Sequence, residues 1–268
     1  ASKKIIGVDL GSSSIKLAQI KKTKKGAVLE NFAFLPTPQA AFNNGNISDS
    51  FLLGEAIGVA HQSNGFRVKN ACIGMWGTSS IVKKITIPKV DAKTLKEQIK
   101  YEAQQYLPFD MAQISLEYHV LPFSANNNEM DVLIVAGQNQ YISEYIEVMT
   151  YAGLKTSIID VNAIALANIF EFNYGKLNEP IALFNFGGTS TQLVVLFQGE
   201  ILFARDIPVG GFNFTNEISK NMGITLDEAE TLKISHAQQT QEVPENTREF
   251  MNMAMDFVTE EIRNSIDF

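Results

Sequence analysis

A short turn near the start of the sequence carries residues whose types could bind an anion. Its members are Gly11, Ser12, Ser13 and Ser14. The glycine lets the backbone approach a ligand, successive amides of such a turn form a concave anion site, and the three hydroxyls add donors. Asp9 stands just before the turn, and its carboxylate suits Mg²⁺, which prefers oxygen ligands. These residues predict a phosphate-binding turn, although an ordinary hairpin turn has the same composition.

The same chemistry recurs about 175 residues later in the chain. The second turn contains Gly187, Gly188, Thr189 and Ser190. Two turns of this kind could hold one polyphosphate between them, whereas neither fits the Walker P-loop or the glycine-rich dinucleotide motif that opens a helix. The repeat therefore strengthens the prediction of a phosphate ligand and indicates two similar α/β lobes.

The composition excludes several classes of protein. A net charge of −7, with 22 Lys and Arg residues spread along the chain, argues against a surface for nucleic acid or for an anionic membrane. The single cysteine, Cys72, cannot form an internal disulfide, and the three histidines are too far apart in sequence to form a metal-ligand pattern. No segment has the apolar length of a signal peptide or a membrane span. We therefore expect a cytoplasmic protein with small-molecule or protein partners.

Strands and helices are predicted around both turns. Segments 5–10 and 15–20 flank the first turn and segments 181–185 and 192–197 flank the second, so each turn joins two strands. Other predicted strands are 27–35, 71–75, 81–87, 114–121, 131–137 and 156–159. Helices are predicted from Asp91 to Pro108, through Ile142, Ile146 and Met149 to a C-cap at Gly153, and over 51–62, 161–172 and 247–268. Asp160 is a candidate cap for the helix over 161–172.

Several stretches resemble one group of proteins. Gly7–Lys16 resembles the first phosphate motif of the superfamily of actin, FtsA and sugar kinases, and Phe184–Thr191 resembles its second phosphate motif. Further stretches are similar to segments of PilM, the actin-like family of type IV pilus proteins: Tyr101–Phe109, Ile159–Ala167, Ile207–Gly211 and Ala229–Lys233. The resemblance covers essentially the whole chain, and the order of these motifs is more specific than any one of them.

The resemblance implies an α/β, actin-like (ribonuclease H-like) fold with two lobes. The first lobe would comprise 1–79 and 155–180, an FtsA-style inserted α/β subdomain would comprise 80–154, and the second lobe would comprise 181–268. The last predicted helix runs to the final residue without a capping residue. We therefore expect the second lobe to be incomplete, with at least one strand and one helix of its C-terminal part missing.

The resemblance also implies that ATP with Mg²⁺ lies between the lobes. The implied nucleotide-binding residues are Asp9, Gly11, Ser12, Ser13, Ser14, Lys16, Asn185, Gly187, Gly188, Thr189, Gly210, Gly211, Glu230 and Lys233, with Asp9 as the Mg²⁺ ligand. Glu230 and Lys233 would approach the ribose and base, although without the resemblance they would be interpreted as a solvated helix face.

Two departures from the family pattern weaken the expectation of catalysis. Asn185 stands where actin relatives usually carry an acidic residue, and an amide cannot hold a metal or orient its water as a carboxylate does. The glycine-rich adenosine motif of the family is absent from the 268 residues. We therefore expect weak or no ATPase activity, and weak or no nucleotide binding by this piece of the fold.

The function implied by the resemblance is that of an adaptor. It would be an ATP-binding protein of the type IV pilus assembly platform, cytoplasmic and peripheral to the inner membrane through its partners. The cytoplasmic tail of a PilN-type inner-membrane protein would dock near Tyr106, Leu107 and Phe109, and self-association is a further expectation. From the residues alone, these three side chains could equally belong to the core.

Two other functions fit the same superfamily. An FtsA-like filament-forming protein would share the fold and the insert, but it requires an amphipathic membrane-targeting tail, which these 268 residues do not contain. Because the C-terminal part is expected to be missing, this alternative stays open. A small-molecule kinase would require a general base near the transferred phosphate. Asp9 and Asp160 are the candidate carboxylates for that role, and Asp160 could equally cap a helix.

Overall fold

The computed structural model describes residues 4–24, 26–43, 45–124, 126–239 and 242–266, with only the backbone of Thr78. The strands are β1 (Ile6–Leu10), β2 (Ser14–Thr23), β3 (Gly26–Pro36), β4 (Phe42–Asn43), β5 (Asn46–Ile47), β6 (Asn70–Met75), β7 (Ser80–Pro88), β8 (Ile114–Val120), β9 (Glu129–Gln138), β10 (Lys155–Val161), β11 (Ile181–Phe186), β12 (Thr191–Phe197) and β13 (Glu200–Ile207). The helices are α1 (Ser50–Ser63), α2 (Ala92–Gln104), α3 (Asn139–Tyr151), α4 (Asn162–Tyr174), α5 (Gly211–Met222), α6 (Leu226–Gln238) and α7 (Glu245–Ile266). The chain forms two compact units. The larger unit comprises the chain up to Leu183 with Leu193–Arg205, and the smaller unit comprises Phe184–Gln192 with Asp206–Phe268.

A five-stranded sheet in the order β10-β6-β1-β2-β3 is the centre of the larger unit. β1 pairs antiparallel with β2 and parallel with β6, and β6 pairs parallel with β10. Alternate residues of β1, Ile6, Val8 and Leu10, are buried as the period of two in a strand requires. They share a core with α1 and α3. These helices pack so closely that a Cβ on Gly54 would lie 2.3 Å from the Cβ of Tyr151.

A second sheet of the larger unit, in the order β7-β9-β8, is antiparallel throughout. One face of this sheet is covered by α2, whose residues Leu95, Ile99 and Ala103 recur at helical spacing and are buried. They form a separate core with strand residues such as Ile85 and Ile134. The predicted strands and the predicted helix of this region are therefore present.

The end of α2 differs from the prediction. Asp91 caps its start as predicted, since its carboxylate accepts two backbone amides of the first turn. The helix ends at Gln104, not near Pro108, so Tyr106 lies beyond it. A proline disfavours helical geometry at the residue before it, and here the last predicted turn is not helical.

Asp131 is a buried charge of the second sheet. Its carboxylate accepts hydrogen bonds from Thr86 Oγ1 at 2.6 Å and from Lys84 Nζ at 3.0 Å. Burial by itself would raise the pKa of Asp131, but these hydrogen bonds and the positive charge of Lys84 outweigh it and hold the pKa below its usual range. The pairing therefore satisfies a carboxylate that would otherwise be costly to bury.

The opposite face of the second sheet contributes to a third core. Val82 and Leu133 of β7 and β9 are buried together with Ala163 and Ala167 of α4 and with Val194 of β12. Asp160 was a candidate cap for α4, and it does not cap that helix. Asp160 is part of β10, and among the described residues its carboxylate accepts a hydrogen bond only from the adjacent Val161 amide, at 2.8 Å, because the strand continues to the residue before the helix.

The smaller unit is built mainly from α5, α6 and α7. α5 packs on α7, and the buried residues Ile218, Ala254 and Val258 lie on these two helices. Thr225 and Glu228 form a capping box at the start of α6. The sheet β11-β12-β13 supplies the strand segments of this unit.

The predicted division into lobes and insert stays a prediction. α3 falls in the predicted insert range, 80–154, yet its buried residues Tyr145, Val148 and Met149 belong to the core of the five-stranded sheet. In the described part of the chain, no helix combines the length and the apolar character needed to cross a bilayer.

Candidate functional site

The first turn joins β1 to β2 and is closed by its glycine. The amide of Gly11 donates to the carbonyl of Ser14 at 3.2 Å. A Cβ on Gly11 would lie only 2.7 Å from that same oxygen, which real side chains do not tolerate. Glycine is therefore required here by the close approach of the backbone to itself.

The carbonyl groups of this turn, and that of Leu10 just before it, are held by donors from two other parts of the larger unit. Thr37, just after β3, donates its hydroxyl to Gly11 O at 2.6 Å and its amide to Ser13 O at 3.1 Å. The buried Trp76 donates its indole N–H to Leu10 O at 2.7 Å. Carbonyl oxygens repel an anion, so bonding them to internal donors makes the turn more suitable for phosphate.

The sequence did not reveal that Thr37 and Trp76 support the first turn. A signal for Thr37 exists in the repeat, because a proline marks the end of the third strand in both halves: Pro36 is the last residue of β3, and Pro208 directly follows β13.

Two charged side chains stand beside the first turn. Lys16 Nζ lies 3.0 Å from Asp9 Oδ2, and the side chains are 36% and 48% exposed. The pair is exposed enough to contribute little to stability and to exchange partners readily. Within the described residues, no group of three or more His, Cys, Asp or Glu side chains could hold a metal. A Mg²⁺ ion fits here only if Asp9 shares it with phosphate and water oxygens, the ligand set that Mg²⁺ commonly uses.

The second turn, between β11 and β12, repeats the geometry of the first. The amide of Gly187 donates to the carbonyl of Ser190 at 2.9 Å. A Cβ on Gly187 would again lie 2.7 Å from that oxygen. The two turns are therefore equivalent in backbone structure as well as in sequence.

The carbonyls of the second turn are held by the start of α5. The amides of Gly211 and Phe212 donate to Gly187 O at 2.9 Å and to Gly188 O at 2.8 Å. Gly210 precedes this helix, and a Cβ on it would lie 2.5 Å from Gly187 O and 2.7 Å from Gly188 O. The φ of Gly210 is −168°, an extended conformation that any residue can adopt. Glycine is therefore required here because a side chain would not fit, and not because of the backbone conformation.

Glu230 and Lys233, the predicted ribose and base contacts, meet on α6. Lys233 Nζ donates to Glu230 Oε2 at 2.7 Å, to Thr215 Oγ1 at 3.0 Å and to Gly211 O at 3.2 Å. The Thr215 hydroxyl is also hydrogen-bonded to the Glu230 carboxylate. These side chains link α6 to the first turn of α5 within the smaller unit.

The structure divides the predicted nucleotide-binding residues between the two units. The larger unit brings together Asp9, Gly11, Ser12, Ser13, Ser14 and Lys16. The smaller unit contains Asn185, Gly187, Gly188, Thr189, Gly210, Gly211, Glu230 and Lys233. Asn185 is exposed. In the smaller unit, Glu230 and Lys233 lie on α6 and contact α5, and their hydrogen bonds in the described part of the chain do not reach the second turn directly.

The predicted partner-binding residues differ in exposure. Leu107 is 7% exposed and belongs to the core under α2. Phe109 is half-buried against the same core. Tyr106 is 37% exposed, and Lys83 Nζ lies 5.7 Å from the centre of its ring. Only Tyr106 and the outer part of Phe109 offer surface to a partner.

The chain is similar to several known proteins. A family model described as type IV pilus assembly protein PilM matches residues 7–268. The solved structure of a PilM-PilN type IV pilus biogenesis complex is similar, with a TM-score of 0.86 and 22% identity over 99% of this chain and 77% of that chain. The ethanolamine utilization protein EutJ from Carboxydothermus hydrogenoformans is similar in fold, with a TM-score of 0.59 and 14% identity over 98% of this chain and 71% of its own.

A curated relative is the cell division protein FtsA of Bacillus subtilis (strain 168), which is 27% identical over 145 residues. The match covers 52% of this chain and 33% of FtsA, so the chain spans about a third of that relative's length. The predicted actin-like α/β fold is confirmed by the similar structures. The match to the family model over residues 7–268 shows that the chain belongs to the family of type IV pilus assembly protein PilM.

Proposed function

We propose that this chain is an ATP-binding, actin-like adaptor of the type IV pilus assembly platform. The observation that carries the proposal is the pair of equivalent turns, each closed by a glycine and each with its carbonyls bonded to internal donors. An anion then meets amides and hydroxyls in place of carbonyl oxygens. Membership of the PilM family supports a role in pilus assembly.

The two turns supply different groups for phosphate binding. Ser12, Ser13 and Ser14 contribute hydroxyl donors in the first turn, and Thr189 contributes one in the second. Lys16 supplies a positive charge beside the first turn, and Asp9 holds Mg²⁺. The metal therefore belongs to the first turn, where the only carboxylate of the two motifs stands.

Binding without rapid hydrolysis follows from the second turn. Asn185 occupies the position equivalent to Asp9, and its amide cannot orient a metal-bound water as a carboxylate does. Phosphoryl transfer depends on metal placement and on an oriented nucleophile. ATP then acts as a conformational ligand of the protein.

The partner we propose is the cytoplasmic tail of a PilN-type inner-membrane protein, which places the chain at that membrane through its partner. Support comes from the similar solved structure, which is a complex of PilM with PilN. The exposed edge formed by Tyr106 and Phe109 offers aromatic surface next to the end of α2. Aromatic side chains are frequent anchors of interfaces because they bury much area at a small entropic cost.

Calorimetry with Mg-ATP tests the nucleotide part of the proposal. We expect saturable binding with one site per chain, lost in Gly11→Val. The absence of any heat of binding by folded, full-length wild-type protein would contradict the proposal.

A tail-binding assay tests the partner. We expect Tyr106→Ala and Phe109→Ala to lower affinity for a PilN-type tail peptide at least about tenfold, with Phe109→Ala also costing some stability because the ring is half-buried. Tyr101→Ala is the matched control, since Tyr101 is 72% exposed on α2. Full binding by both folded variants would exclude this edge, and docking would then be sought elsewhere.

A second candidate function is ATP-dependent self-association into filaments. The match to FtsA over 145 residues favours it. Sedimentation of the protein with and without Mg-ATP distinguishes the two functions. Polymer that pellets only with nucleotide would favour the filament, whereas protein that stays in the supernatant while binding the tail peptide would favour the adaptor.

A further inference from the structure

We propose that Thr215, with Glu230 and Lys233, is a positioning device that holds the start of α5 against the second turn. The inference rests on the proposed nucleotide-binding function only for its effect on ATP. It gives Thr215 a role, and it adds the role of an internal anchor to Lys233, whose predicted contact with the nucleotide stays a prediction.

The first step is the hydrogen-bond capacity of Lys233. An ammonium group has three N–H donors and no acceptor. Here the three acceptors within reach are Glu230 Oε2, Thr215 Oγ1 and Gly211 O, at 2.7, 3.0 and 3.2 Å. Lys233 could contact a ligand only by giving up one of these internal bonds.

The second step is the burial of Thr215. This residue is 1% exposed, and its hydroxyl joins the carboxylate of Glu230 to the ammonium of Lys233. No ligand can reach a side chain so deeply buried. Any effect of Thr215 on binding must therefore act through neighbouring groups.

The third step is the chain of contacts from this cluster to the turn. Lys233 bonds the carbonyl of Gly211, while the amide of the same residue bonds Gly187 O in the turn. The next amide, of Phe212, bonds Gly188 O. Fixing Gly211 from the α6 side therefore fixes the two amides that hold the turn's carbonyls.

The charges of the cluster fit this role. The ammonium group of Lys233 lies at the start of α5, where the helix dipole disfavours a positive charge. An ammonium group without a nearby negative charge would therefore be unfavourable at this position. Glu230 compensates it at 2.7 Å, and the lysine and glutamate side chains are only 19% and 36% exposed. The three groups thus form a locally balanced polar cluster that depends on the central hydroxyl.

Amide hydrogen exchange on nucleotide-free protein tests the proposal. We expect Thr215→Val, which keeps the side-chain shape, and Lys233→Met to speed exchange at the Gly211 and Phe212 amides at least about tenfold. Thr215→Ser keeps the hydroxyl and should restore the wild-type rates. The amide of Ala229, bonded to Thr225 O at the start of α6, is the internal reference.

Lys220→Met is the matched control for Lys233→Met, because Lys220 is an exposed lysine near the far end of α5. Wild-type exchange at both amides in folded Thr215→Val would overturn the proposal. If that variant does not fold, Glu230→Gln takes its place with the same expected result, and wild-type exchange there overturns it equally.

A titration with Mg-ATP separates this inference from the proposed function. Faster exchange in Thr215→Val together with at least about tenfold weaker ATP binding supports both. If Thr215→Val exchanges faster but the wild-type protein binds no ATP, the positioning role is supported and the proposed nucleotide binding is rejected. If Thr215→Val has wild-type exchange rates and wild-type ATP affinity, the proposed nucleotide binding stands and the positioning role is rejected.

Discussion

The two glycine-closed turns of this protein have the same backbone geometry and are held by different means. In each, the glycine amide donates to the serine carbonyl three residues on, and a Cβ would lie 2.7 Å from that oxygen. The first turn is held by two side chains, Thr37 and Trp76, with one further amide. The second is held by the first amides of α5. The same local turn structure can thus be held by side-chain donors in one place and by backbone amides of a helix in another.

The turns also differ in charge. The first has the exposed pair Asp9 and Lys16, whereas the equivalent positions in the second are Asn185 and Gln192. Gln192 is buried and donates to Asp206 at 3.1 Å, so it serves the fold of its own unit. This difference supports the proposal that Mg²⁺ and charge neutralisation belong to the first turn, whereas the second turn would offer neutral donors.

The largest effect is expected from a side chain at the glycine that closes either turn. Gly11→Val and Gly187→Val each force a Cβ against a carbonyl, so the turn must open and its amides no longer converge. We expect each to weaken Mg-ATP binding at least about 100-fold, or about 2.7 kcal/mol, measured by calorimetry. Gly7→Val is the control, because its Cβ would lie 3.9 Å from the nearest oxygen. Unchanged affinity in one folded variant would show that the two turns are not equivalent in function.

The next largest effect should come from the glycine that precedes α5. Gly210→Ala pushes a methyl group into two carbonyls of the second turn, and overpacking of this kind costs about 1–3 kcal/mol. The neighbouring Gly211→Ala is the control, since its Cβ would have ordinary contacts of 3.5 and 3.7 Å. Urea unfolding monitored by circular dichroism gives both values. Equal stability of the two variants would mean that the close approach at Gly210 is not rigid.

A smaller effect is expected when the side-chain support of the first turn is removed. Thr37→Val loses the bond to Gly11 O but keeps the backbone bond to Ser13 O, so we expect a loss of about 1 kcal/mol. The exchange of the Gly11 amide should quicken while that of Gly187 stays unchanged, and Thr37→Ser should behave as wild type. Faster exchange in both turns would show that their supports are coupled.

The smallest effect concerns hydrolysis. We expect wild-type turnover of ATP below about one per second, the lower end for kinases, because the second turn lacks a carboxylate. Asn185→Asp restores the acid and should raise phosphate release a few-fold without weakening binding. Asn185→Ser is the control for loss of the amide. Rapid phosphate release by the wild-type protein that is abolished in Gly11→Val would contradict the proposal that the protein binds ATP without rapid hydrolysis.

The elements and the turns were predictable because they depend on local patterns. Alternation identified β1, and helical spacing with Asp91 identified the start of α2. The predicted end of α2 was wrong, because helical spacing continued to Tyr106 while Pro108 disfavoured the last turn. The candidate cap at Asp160 is absent, because the strand β10 continues through that residue. Leu107 could be core or surface from the sequence, and only packing against α2 decides that it is buried.

The two glycine turns could be predicted from the sequence because each consists of neighbouring residues, and the fold type and the family could be predicted from the order of motifs along the chain. The tertiary structure decided what holds those turns. Thr37 lies 26 positions from Gly11 and Trp76 lies 66 from Leu10, so no local pattern brings them together. Thr215 likewise acquires its role only because α6 packs beside α5 and places Lys233 within reach. A hydrogen bond between distant positions exists only after the chain has folded, because the packing of the intervening elements brings donor and acceptor into reach.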